Sequence, residues 1–384
     1  MVNITRVDLL QLATSISYTA EIQSTVNAST DHVAFVAYDQ SFIDNVLGPN
    51  PSSRLVAELP YAGFHEAGVY NLATEKIYAA SAWNGSIDNP INITIIDPRT
   101  GAIESTHYDH LHQANGGRAY YPPGTPPTAR KDKPSSSQTA EISAAAPASH
   151  TRRPPTNTSK RLLDSFFGRN FSSINDVVQH PYTGDLWFTD ARYAYWSGFG
   201  PEPNLRPQVY RFEPLTGYVQ AVADFFTAPN GIEFSPDYKH VYIGDSGSRT
   251  NEIDYMGPAS IYRFDVSEDC KRLRNRELFA YTDQGAPDGL HTDTNGNVYA
   301  GVDDGLYVWD STGRLIGKFG GMGSAQVSNF VFVPGGCMFL LDVLDQSNAE
   351  PTEWRPRGRS RQRRKQPRGS LFAALERSRS LQRP

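Results

Sequence analysis

The sequence predicts an all-β fold, and three observations support the prediction. Short runs of β-branched and aromatic residues, such as KIYAASAWNG from Lys76 and HVYIGDSGS from His240, are bounded by Gly, Asp, Asn and Pro, which is typical of strands between turns. Helical periodicity is nearly absent from the same regions. Similar strand units centred on Trp187, Tyr242 and Tyr299 recur after 55 and 57 residues, which indicates an internal repeat.

The repeat predicts a six-bladed β-propeller. Four short strands in a unit of 40 to 60 residues are typical of propeller blades, because each small sheet buries its faces only against its neighbours. When a Pro- and Ser-rich internal segment and a basic C-terminal segment are excluded, roughly 310 residues remain for the repeat, enough for six such units. A β-sandwich is the alternative all-β architecture, but it requires no near-identical repeats.

Two segments of unusual composition set the predicted domain boundaries. Residues 120–160 are dominated by Pro, Ser, Thr and Ala, a composition that cannot repay the entropy of ordering, so we predict a disordered insertion there. Residues 351–384 are rich in Arg and are predicted to be a basic disordered tail. We therefore expect an N-terminal extension over 1–30 and a propeller domain over 31–350.

The same two segments predict damage to the propeller. The insertion is expected to interrupt one blade, and the last blade is expected to be incomplete because the tail shows no strand pattern. An unclosed propeller would expose unpaired strand edges. We interpret both segments as translated non-coding sequence, from a retained intron and an altered terminus, which continuous coding through both segments in the transcript would contradict.

Composition restricts the class of partner. The net charge is −5, yet residues 354–384 carry 11 Lys and Arg against one Glu, so the remainder is acidic, near −15. An acidic body argues against a nucleic acid as the ligand of the core and fits a cation site. No run approaches the roughly 20 apolar residues of a membrane-spanning helix, so no membrane role is expected. Cys270 and Cys337 are too few for a disulfide framework.

Location and oligomeric state are not encoded visibly. The N-terminus, MVNITRVDLLQLATSISYTAEIQ, makes a poor secretory signal, which slightly favours the cytoplasm over secretion and leaves localisation open.

Four motifs give the sequence a family resemblance. FHEAGVYNLATEKIYAAS begins at Phe64, INDVVQHPYTGDLWFTDARYAYW at Ile174, PNGIEFSPDYKHVYIGDS at Pro229, and PDGLHTDTNGNVYAGVDDG at Pro287. In this order they resemble the signatures of the senescence-marker-protein/gluconolactonase family, the regucalcin-like six-bladed propellers, and most closely those of its fungal lactonohydrolases. The resemblance covers about residues 35–118 and 161–345.

The resemblance implies one divalent cation on the propeller axis, with Ca²⁺ as the first choice and Zn²⁺, Mg²⁺ or Mn²⁺ as alternatives. The matching positions are Glu66, Asn175, Asn230 and Asp288. Two carboxylates and two amide oxygens suit calcium, which takes six to eight oxygen ligands and so leaves room for water and substrate. Taken singly, Asn-Gly and Asp-Gly are ordinary turn dipeptides, and Asp176 is an alternative to its neighbour Asn175.

The resemblance further implies hydrolysis of a small-molecule lactone, such as gluconolactone, a sugar-acid lactone or a pantoyl-type lactone, by cation-activated water. We predict that Asp288 is both ligand and general base, with His65 as a rival proton acceptor. Candidates for supporting or substrate contacts are Asn115 in HQANGG, Asp190, Arg192, Tyr193 and Asp245. Asp190 and Asp245 are expected to bind backbone amides rather than the metal.

Two other functions remain open at this stage. A resemblance to diisopropylfluorophosphatase and paraoxonase allows a phosphotriesterase that uses the same site, because both reactions develop charge on an oxygen that a cation stabilises. A propeller that binds calcium without catalysis is the other alternative, since a disrupted blade would impair the enzyme. No Gly-x-Ser-x-Gly motif is present, which disfavours a serine esterase.

Overall fold

The computed structural model describes residues 3–29, 31–82, 91–108, 111, 113–122, 139–140, 161–250, 253–320, 325–344 and 368–375. Strands dominate these residues. None of the described helices is long and apolar enough to cross a membrane. Both cysteines are free.

The N-terminal region combines helices with strands that join later sheets. Its elements are β1 (Ile4–Arg6), α1 (Leu9–Thr14), α2 (Ile16–Asn27), β2 (Ala34–Ala37), a π-helical turn (Phe42–Leu47) and β3 (Ser52–Leu59). The Asp8 side chain accepts hydrogen bonds from the N–H groups of Leu10 and Gln11 and so caps α1. The predicted N-terminal extension over 1–30 therefore contains structure, and β1 pairs with β2.

Two blades and several short strand pairs follow in chain order. Blade A comprises β4 (Glu66–Asn71), β5 (Lys76–Ala80), β6 (Ile93–Ile96) and β7 (Ile103–Thr106). Short pairs are formed by β8 (Arg118–Ala119) with β9 (Thr139–Ala140) and by β10 (Ser165–Phe166) with β11 (Arg169–Asn170). Blade B comprises β12 (Ile174–Gln179), β13 (Leu186–Asp190), β14 (Gln208–Glu213) and β15 (Tyr218–Ala223), with α3 (Tyr193–Trp196) between its second and third strands.

Three further sheets complete the described fold. Blade C comprises β16 (Pro229–Phe234), β17 (His240–Asp245), β18 (Ser260–Val266) and β19 (Leu273–Tyr281). Blade D comprises β20 (Leu290–Thr292), β21 (Val298–Val302), β22 (Gly305–Trp309) and β23 (Leu315–Gly320), extended by β2 and β1. Blade E comprises β24 (Ala325–Val333), β25 (Cys337–Leu344), β26 (Arg368–Leu375) and β3.

The predicted repeat corresponds to the blades. Trp187, Tyr242 and Tyr299 lie on β13, β17 and β21, the second strands of blades B, C and D, and all three side chains are buried. The core lies between blades, where aromatic rings pack against each other. Trp187 of β13 in blade B, for example, packs edge to face against Phe234 of β16 in blade C with ring centroids 5.8 Å apart. The β-propeller architecture is confirmed.

The number of blades differs from the prediction. Among the described residues, five sheets of four or more strands form blades, so the prediction of six is wrong for this structure. Between blades A and B the described strands form only two short pairs, β8 with β9 and β10 with β11, and β8 contacts the first strands of both neighbouring blades. The composition of 120–160 offers few large apolar residues for the buried faces of a sixth four-strand sheet. Most of the predicted insertion lies outside the described residues.

The last blade is complete, contrary to the prediction. β26 pairs with β25 over eight residues, and β3 from the N-terminal region pairs with the other edge of β26. Strands from both ends of the chain thus share one sheet, which closes the ring. Leu371 and Ala373 of β26 are fully buried in the core. The prediction of disorder over 351–384 is therefore wrong for residues 368–375, and the rest of that tail lies outside the described residues.

Candidate functional site

First strands of neighbouring blades contact each other, β12 with β16, β16 with β20 and β24 with β4, and β8 contacts both β4 and β12. Backbone hydrogen bonds also join neighbouring blades there. The Gly231 N–H donates to the Asp288 carbonyl at 3.2 Å, and the Gly289 N–H donates to a carbonyl of β24 at 2.8 Å. Gly116, which precedes β8, donates to the Asn175 carbonyl at 2.8 Å. The segments that carry the predicted ligands are therefore fixed to each other at the hub, the ring formed by the starts of these strands.

Irregular strand pairing places three of the predicted ligands at this hub. In blades A, B and C, the pairing of the first two strands shifts where the first strand begins, next to Glu66, at Asn175 and at Asn230. Each shift is a β-bulge, in which two residues oppose one and the side chains are turned from the regular alternation. The same β-bulge, repeated in three sheets, thus positions one oxygen-bearing side chain from each sheet at the hub.

The glycines of the Asn-Gly and Asp-Gly dipeptides are required by close packing. A Cβ atom on Gly231 would overlap the Asp288 carbonyl oxygen, and one on Gly289 would overlap the Asn329 side chain. Neither glycine has a positive φ angle. Packing between blades therefore accounts for these dipeptides, and the alternative that they are ordinary turns is wrong.

A cavity of about 280 Å³ opens at the hub. Its walls include seven of the predicted residues: His65, Glu66, Asn115, Asn175, Tyr193, Asn230 and Asp288. Three of the candidates, Asp190, Arg192 and Asp245, do not line it. The structure thus brings together all four predicted ligands from blades A, B, C and D.

Glu66 and Asp288 form a buried carboxyl pair in this cavity. The two side chains are close enough to share a hydrogen bond, and only 3 % and 9 % of their surfaces are exposed. Burial, and then the nearby Asp288 carboxylate, hold the pKa of Glu66 well above its usual value. Burial raises the pKa of Asp288 to about 7, against the opposing effect of the neighbouring Asn230 and Glu66 side chains. Two carboxylates this close repel each other when both are ionised. The pair is therefore stabilised by sharing one proton or by binding a cation.

Two oxygens at the hub have no hydrogen-bond donor among the described residues. They are Oδ1 of Asn175 and Oδ1 of Asp288, and both are buried. A buried polar atom without a partner is costly unless a ligand satisfies it. Carboxylate and amide oxygens are the donors that hard cations such as Ca²⁺ prefer, so these residues fit a cation. No cluster of three or more His, Cys, Asp or Glu side chains is present among the described residues, consistent with a set that is half amide.

Asn329 and Gln326 also contact the carboxyl pair, and the sequence reasoning missed them. The Asn329 Nδ2 donates to Glu66 Oε2 at 2.9 Å, and the Gln326 Nε2 lies 3.5 Å from Asp288 Oδ2. Both residues lie on β24, the first strand of blade E, where the pairing shifts as it does in the other blades. Because that strand lacks an Asn-Gly or Asp-Gly signature, the only available signal was its place in the repeat.

Asp190 and Asp245 hold the backbone that leads into the hub. Asp190 ends β13 and accepts N–H bonds from Ser172 and Ser173, the closest at 2.7 Å. Asp245 ends β17 and accepts the N–H of Ala228 at 2.8 Å. Burial raises the pKa of Asp190 to about 7. These carboxylates anchor the residues just before Asn175 and Asn230.

The remaining candidates differ in their surroundings. Burial lowers the pKa of His65 to about 4, so its imidazole is neutral at physiological pH. The Tyr193 hydroxyl accepts a hydrogen bond from the Asn230 Nδ2 at 3.3 Å, and burial raises the pKa of this phenol. Asn115 donates to the Asn175 carbonyl at 3.2 Å, which links it to the ligand set. Arg192 precedes α3 and lies outside the cavity wall.

Charged groups of the hub strands form a network beside the cavity residues. Arg118 of β8 pairs with Glu233 of β16, and Glu233 Oε2 lies 3.1 Å from His291 Nδ1. The Arg118 guanidinium also opposes the effect of burial on Asp176, whose pKa rises to about 6. Asp176 accepts the Ile232 N–H at 3.2 Å. Asp176 thus joins blade B to blade C, and its neighbour Asn175 presents its amide to the cavity.

The fold and the hub define a β-propeller with an oxygen-rich central cavity, and comparison with known proteins gives the family. Residues 129–338, more than half of the chain, match the family described as SMP-30/Gluconolactonase/LRE-like region. The chain belongs to this family. The matched range includes Asn175, Asn230 and Asp288, whereas Glu66 precedes it.

One curated relative and two solved structures illustrate the similarity. Lactonohydrolase oryL from Aspergillus oryzae is 28 % identical over 295 residues, which cover 73 % of this chain and 66 % of the relative, just under two thirds of its length. A gluconolactonase from Xanthomonas campestris superimposes with a TM-score of 0.62 at 19 % identity, covering 88 % of this chain and 93 % of that one. A calcium-binding protein, regucalcin, from Agrobacterium tumefaciens gives 0.55 at 16 % identity, covering 87 % and 98 %. At these identities the two structures support the fold alone.

Proposed function

We propose that this protein hydrolyses small-molecule lactones in the hub cavity with the help of one divalent cation, Ca²⁺ being the first candidate. The observation that carries the proposal is the convergence of Glu66, Asn175, Asn230 and Asp288, from four different blades, on one cavity. Family membership supports lactone hydrolysis, because related proteins are named lactonohydrolase and gluconolactonase.

The same four side chains would hold the cation. Asn175 and Asp288 each offer a buried oxygen that lacks a donor among the described residues, and Glu66 contributes a second carboxylate. The orientation of the Asn230 amide is partly fixed, because its Nδ2 is directed to the Tyr193 hydroxyl and its oxygen is therefore available. A bound cation supplies Lewis acidity that polarises the lactone carbonyl and acidifies a water molecule.

Asp288 is the proposed general base. Burial raises its pKa to about 7, and Glu66 beside it disfavours a second negative charge, so the pair tends to hold a proton. A carboxylate that binds through one oxygen leaves the other to accept the proton of attacking water. Asn329 keeps Glu66 in place through its 2.9 Å hydrogen bond. His65, neutral and in the same wall, stays the rival proton acceptor.

Tyr193 and Asn115 are proposed to orient the substrate. Both line the cavity, and the raised pKa of Tyr193 keeps its hydroxyl protonated at neutral pH. Lactone oxygens can accept hydrogen bonds from such neutral donors, which position the ring without adding charge beside the carboxyl pair. Arg192 lies outside the wall and receives no role in this proposal.

The test combines metal analysis with an activity assay. Purified protein is analysed for bound metal, and acid release is followed across a panel of sugar-acid and aliphatic lactones before chelation, after chelation and after adding back Ca²⁺, Zn²⁺, Mg²⁺ or Mn²⁺. We expect about one cation per chain, activity that is lost on chelation, and recovery with one of these ions. Protein that opens no lactone under any of these conditions would contradict the proposal. A phosphotriester in the same assay shows whether the site acts on that substrate class instead.

A further inference from the structure

Arg249 brings a permanent positive charge to the cavity wall. Among the described residues that line the cavity, no other side chain carries a guanidinium or ammonium group. The one other basic side chain in the described wall is the imidazole of His65. Every other charge in the described wall belongs to Glu66 and Asp288. The described cavity wall therefore carries one positively charged side chain, Arg249, and one carboxyl pair, Glu66 and Asp288.

The backbone around Arg249 is fixed by its own hydrogen bonds. Arg249 lies in the connection between β17 and β18, and its N–H donates to the Ser246 carbonyl at 2.8 Å. The neighbouring Ser248 N–H bonds Pro258 at 2.7 Å, which ties the start of the connection to its end. Arg249 also forms an isolated β-bridge with Ile253. The guanidinium therefore extends from a defined point, so less ordering entropy is lost when it binds a ligand.

Asp303 orients the guanidinium without facing the cavity. Nη2 of Arg249 pairs with Oδ2 of Asp303, and Asp303 packs against the backbone of Gly285. Oδ1 of Asp303 is buried, and the residue does not line the cavity. Arginine has five N–H donors in a planar fork, so one pairing leaves donors for a second anion. The Arg249 side chain is 34 % exposed and lines the cavity.

The carboxyl pair and Arg249 differ in their exposure to solvent. Glu66 and Asp288 are buried, whereas Arg249 is partly exposed and therefore closer to the mouth. A lactone that bound with its ring at the carboxyl pair and a substituent towards solvent would present that substituent to the part of the wall that Arg249 lines. A carboxylate matches the guanidinium fork through two parallel hydrogen bonds, which a hydroxyl or an amide cannot provide.

We infer that Arg249 determines substrate specificity and selects lactones that carry a carboxylate substituent. This inference rests on the proposed lactonase function, and it assigns the substrate class of the same site. The competing explanation is that Arg249 and Asp303 only join blades C and D. A salt bridge of that kind would affect all substrates equally, so a comparison of two substrates separates the explanations.

The kinetic test uses γ-butyrolactone bearing a γ-carboxylate and the matching γ-carboxamide. We expect the wild-type protein to favour the carboxylate in kcat/KM. Arg249→Gln should reduce that preference about 10- to 100-fold, mainly through a higher KM for the carboxylate, because one charge-assisted contact is lost. Arg249→Lys should retain part of the preference. An equal loss for both lactones, or no loss for either, would overturn the inference.

Arg263→Gln is the matched control. Arg263 lies on β18 of the same blade, has a side chain 29 % exposed, and pairs with Glu277 at 2.6 Å, but it does not line the cavity. Its replacement should leave the ratio of the two kcat/KM values unchanged. If Arg249→Gln does not fold, as judged by circular dichroism, the substrate preference of Arg249→Lys decides between the explanations.

A binding measurement keeps this inference separate from the lactonase proposal. Calorimetric titration of wild-type and Arg249→Gln protein with the same carboxylate and carboxamide needs no turnover. Tighter binding of the carboxylate by about tenfold or more, lost in Arg249→Gln, would support Arg249 as an anion-selective residue even if neither lactone were opened. In that case the lactonase proposal alone would fail. Equal binding of both compounds to wild-type protein would overturn the role of Arg249.

Discussion

The first and last strands of blade C show how differently the hub and the rim of this propeller are built. All six residues of β16 are buried, whereas β19 is mostly exposed along its nine residues. β16 supplies Asn230 to the cavity and Glu233 to the charged network, while β19 supplies Glu277 to a surface ion pair. Both strands belong to one sheet, yet only the inner one is covered by neighbouring blades.

The difference follows from solvent screening. Charges at the rim are exposed to water and ions, which weaken their interactions to a fraction of a kcal/mol. Charges at the hub are shielded, so the same groups shift each other's pKa, as Glu66 and Asp288 do. Chemistry is therefore expected at the hub, and four comparisons between hub and rim variants test this view.

The largest contrast is expected in catalysis. Replacing Asp288 with Asn should lower kcat for lactone opening by about 10² to 10³-fold or more, since the proposed base and a charged ligand are lost together. The cation should remain bound, although more weakly, through Glu66, Asn175 and Asn230. Kinetics and metal analysis of the same preparation measure both effects. The rim variant Glu277→Gln should behave as wild type. Full activity in Asp288→Asn would remove this residue from the mechanism.

The next contrast concerns two ion pairs. Arg118→Met removes the guanidinium that pairs with Glu233 and leaves only the His291 imidazole beside this carboxylate; the Arg118 and Glu233 side chains are only 13 % and 12 % exposed. Leaving a buried charge unpaired typically costs about 3–5 kcal/mol of unfolding free energy. Arg263→Met breaks an exposed pair with Glu277 and should cost less than about 1 kcal/mol. Urea unfolding of both variants measures the difference. Similar losses would show that burial does not distinguish the two pairs.

The repeated strand units made the propeller fold predictable, but they did not predict how the ring closes. Trp187, Tyr242 and Tyr299 recur because every blade needs a bulky residue on its second strand to fill the space between sheets. β26 was missed because its sequence, RGSLFAAL, lies beside a long basic run, contains Gly and Ala, and has no β-branched residue. Its strand structure depends on pairing with β25 and β3, which is tertiary information.

The convergence of the candidate site residues on one cavity was more predictable than the closure of the ring. Glu66, Asn230 and Asp288 stand in local motifs whose glycines or bulges recur, so their convergence follows once a propeller is assumed. Arg249 and Asn329 carry no such motif. Both reach the hub region only through the packing of different blades, and no local pattern in a single sequence encodes that contact.

A smaller effect is expected from packing at the hub. Gly231→Ala places a Cβ against the Asp288 carbonyl, a backbone atom that cannot rotate away, and should cost about 1–3 kcal/mol of unfolding free energy. Gly320→Ala is the matched control in blade D, because its Cβ would lie 3.5 Å from the nearest atom, an ordinary contact. Thermal unfolding compares the two. Equal melting temperatures would mean that the blades can separate at Gly231 without cost.

The smallest contrast concerns how stability depends on pH. Burial raises the pKa of Asp190 in the folded protein from 3.8 to about 7, so the native state binds a proton that the unfolded chain releases. The contribution of this group is therefore fully present below about pH 4 and is lost as the pH rises to about 7. At the rim, hydrogen bonds from Arg99 lower the pKa of Asp97, which gives the opposite sign.

Asp190→Asn removes the titrating group, while its amide oxygen can still accept one of the backbone N–H bonds. We expect the slope of unfolding free energy between pH 4 and pH 7 to become more positive by about 1.4 kcal/mol per pH unit at most, since one proton is involved. Asp97→Asn should change that slope far less, and only below pH 4, because water screens its charge. Urea unfolding at several pH values measures both slopes. An unchanged slope in Asp190→Asn would show that this buried carboxyl is already ionised at pH 4, held so by the N–H groups of Ser172 and Ser173.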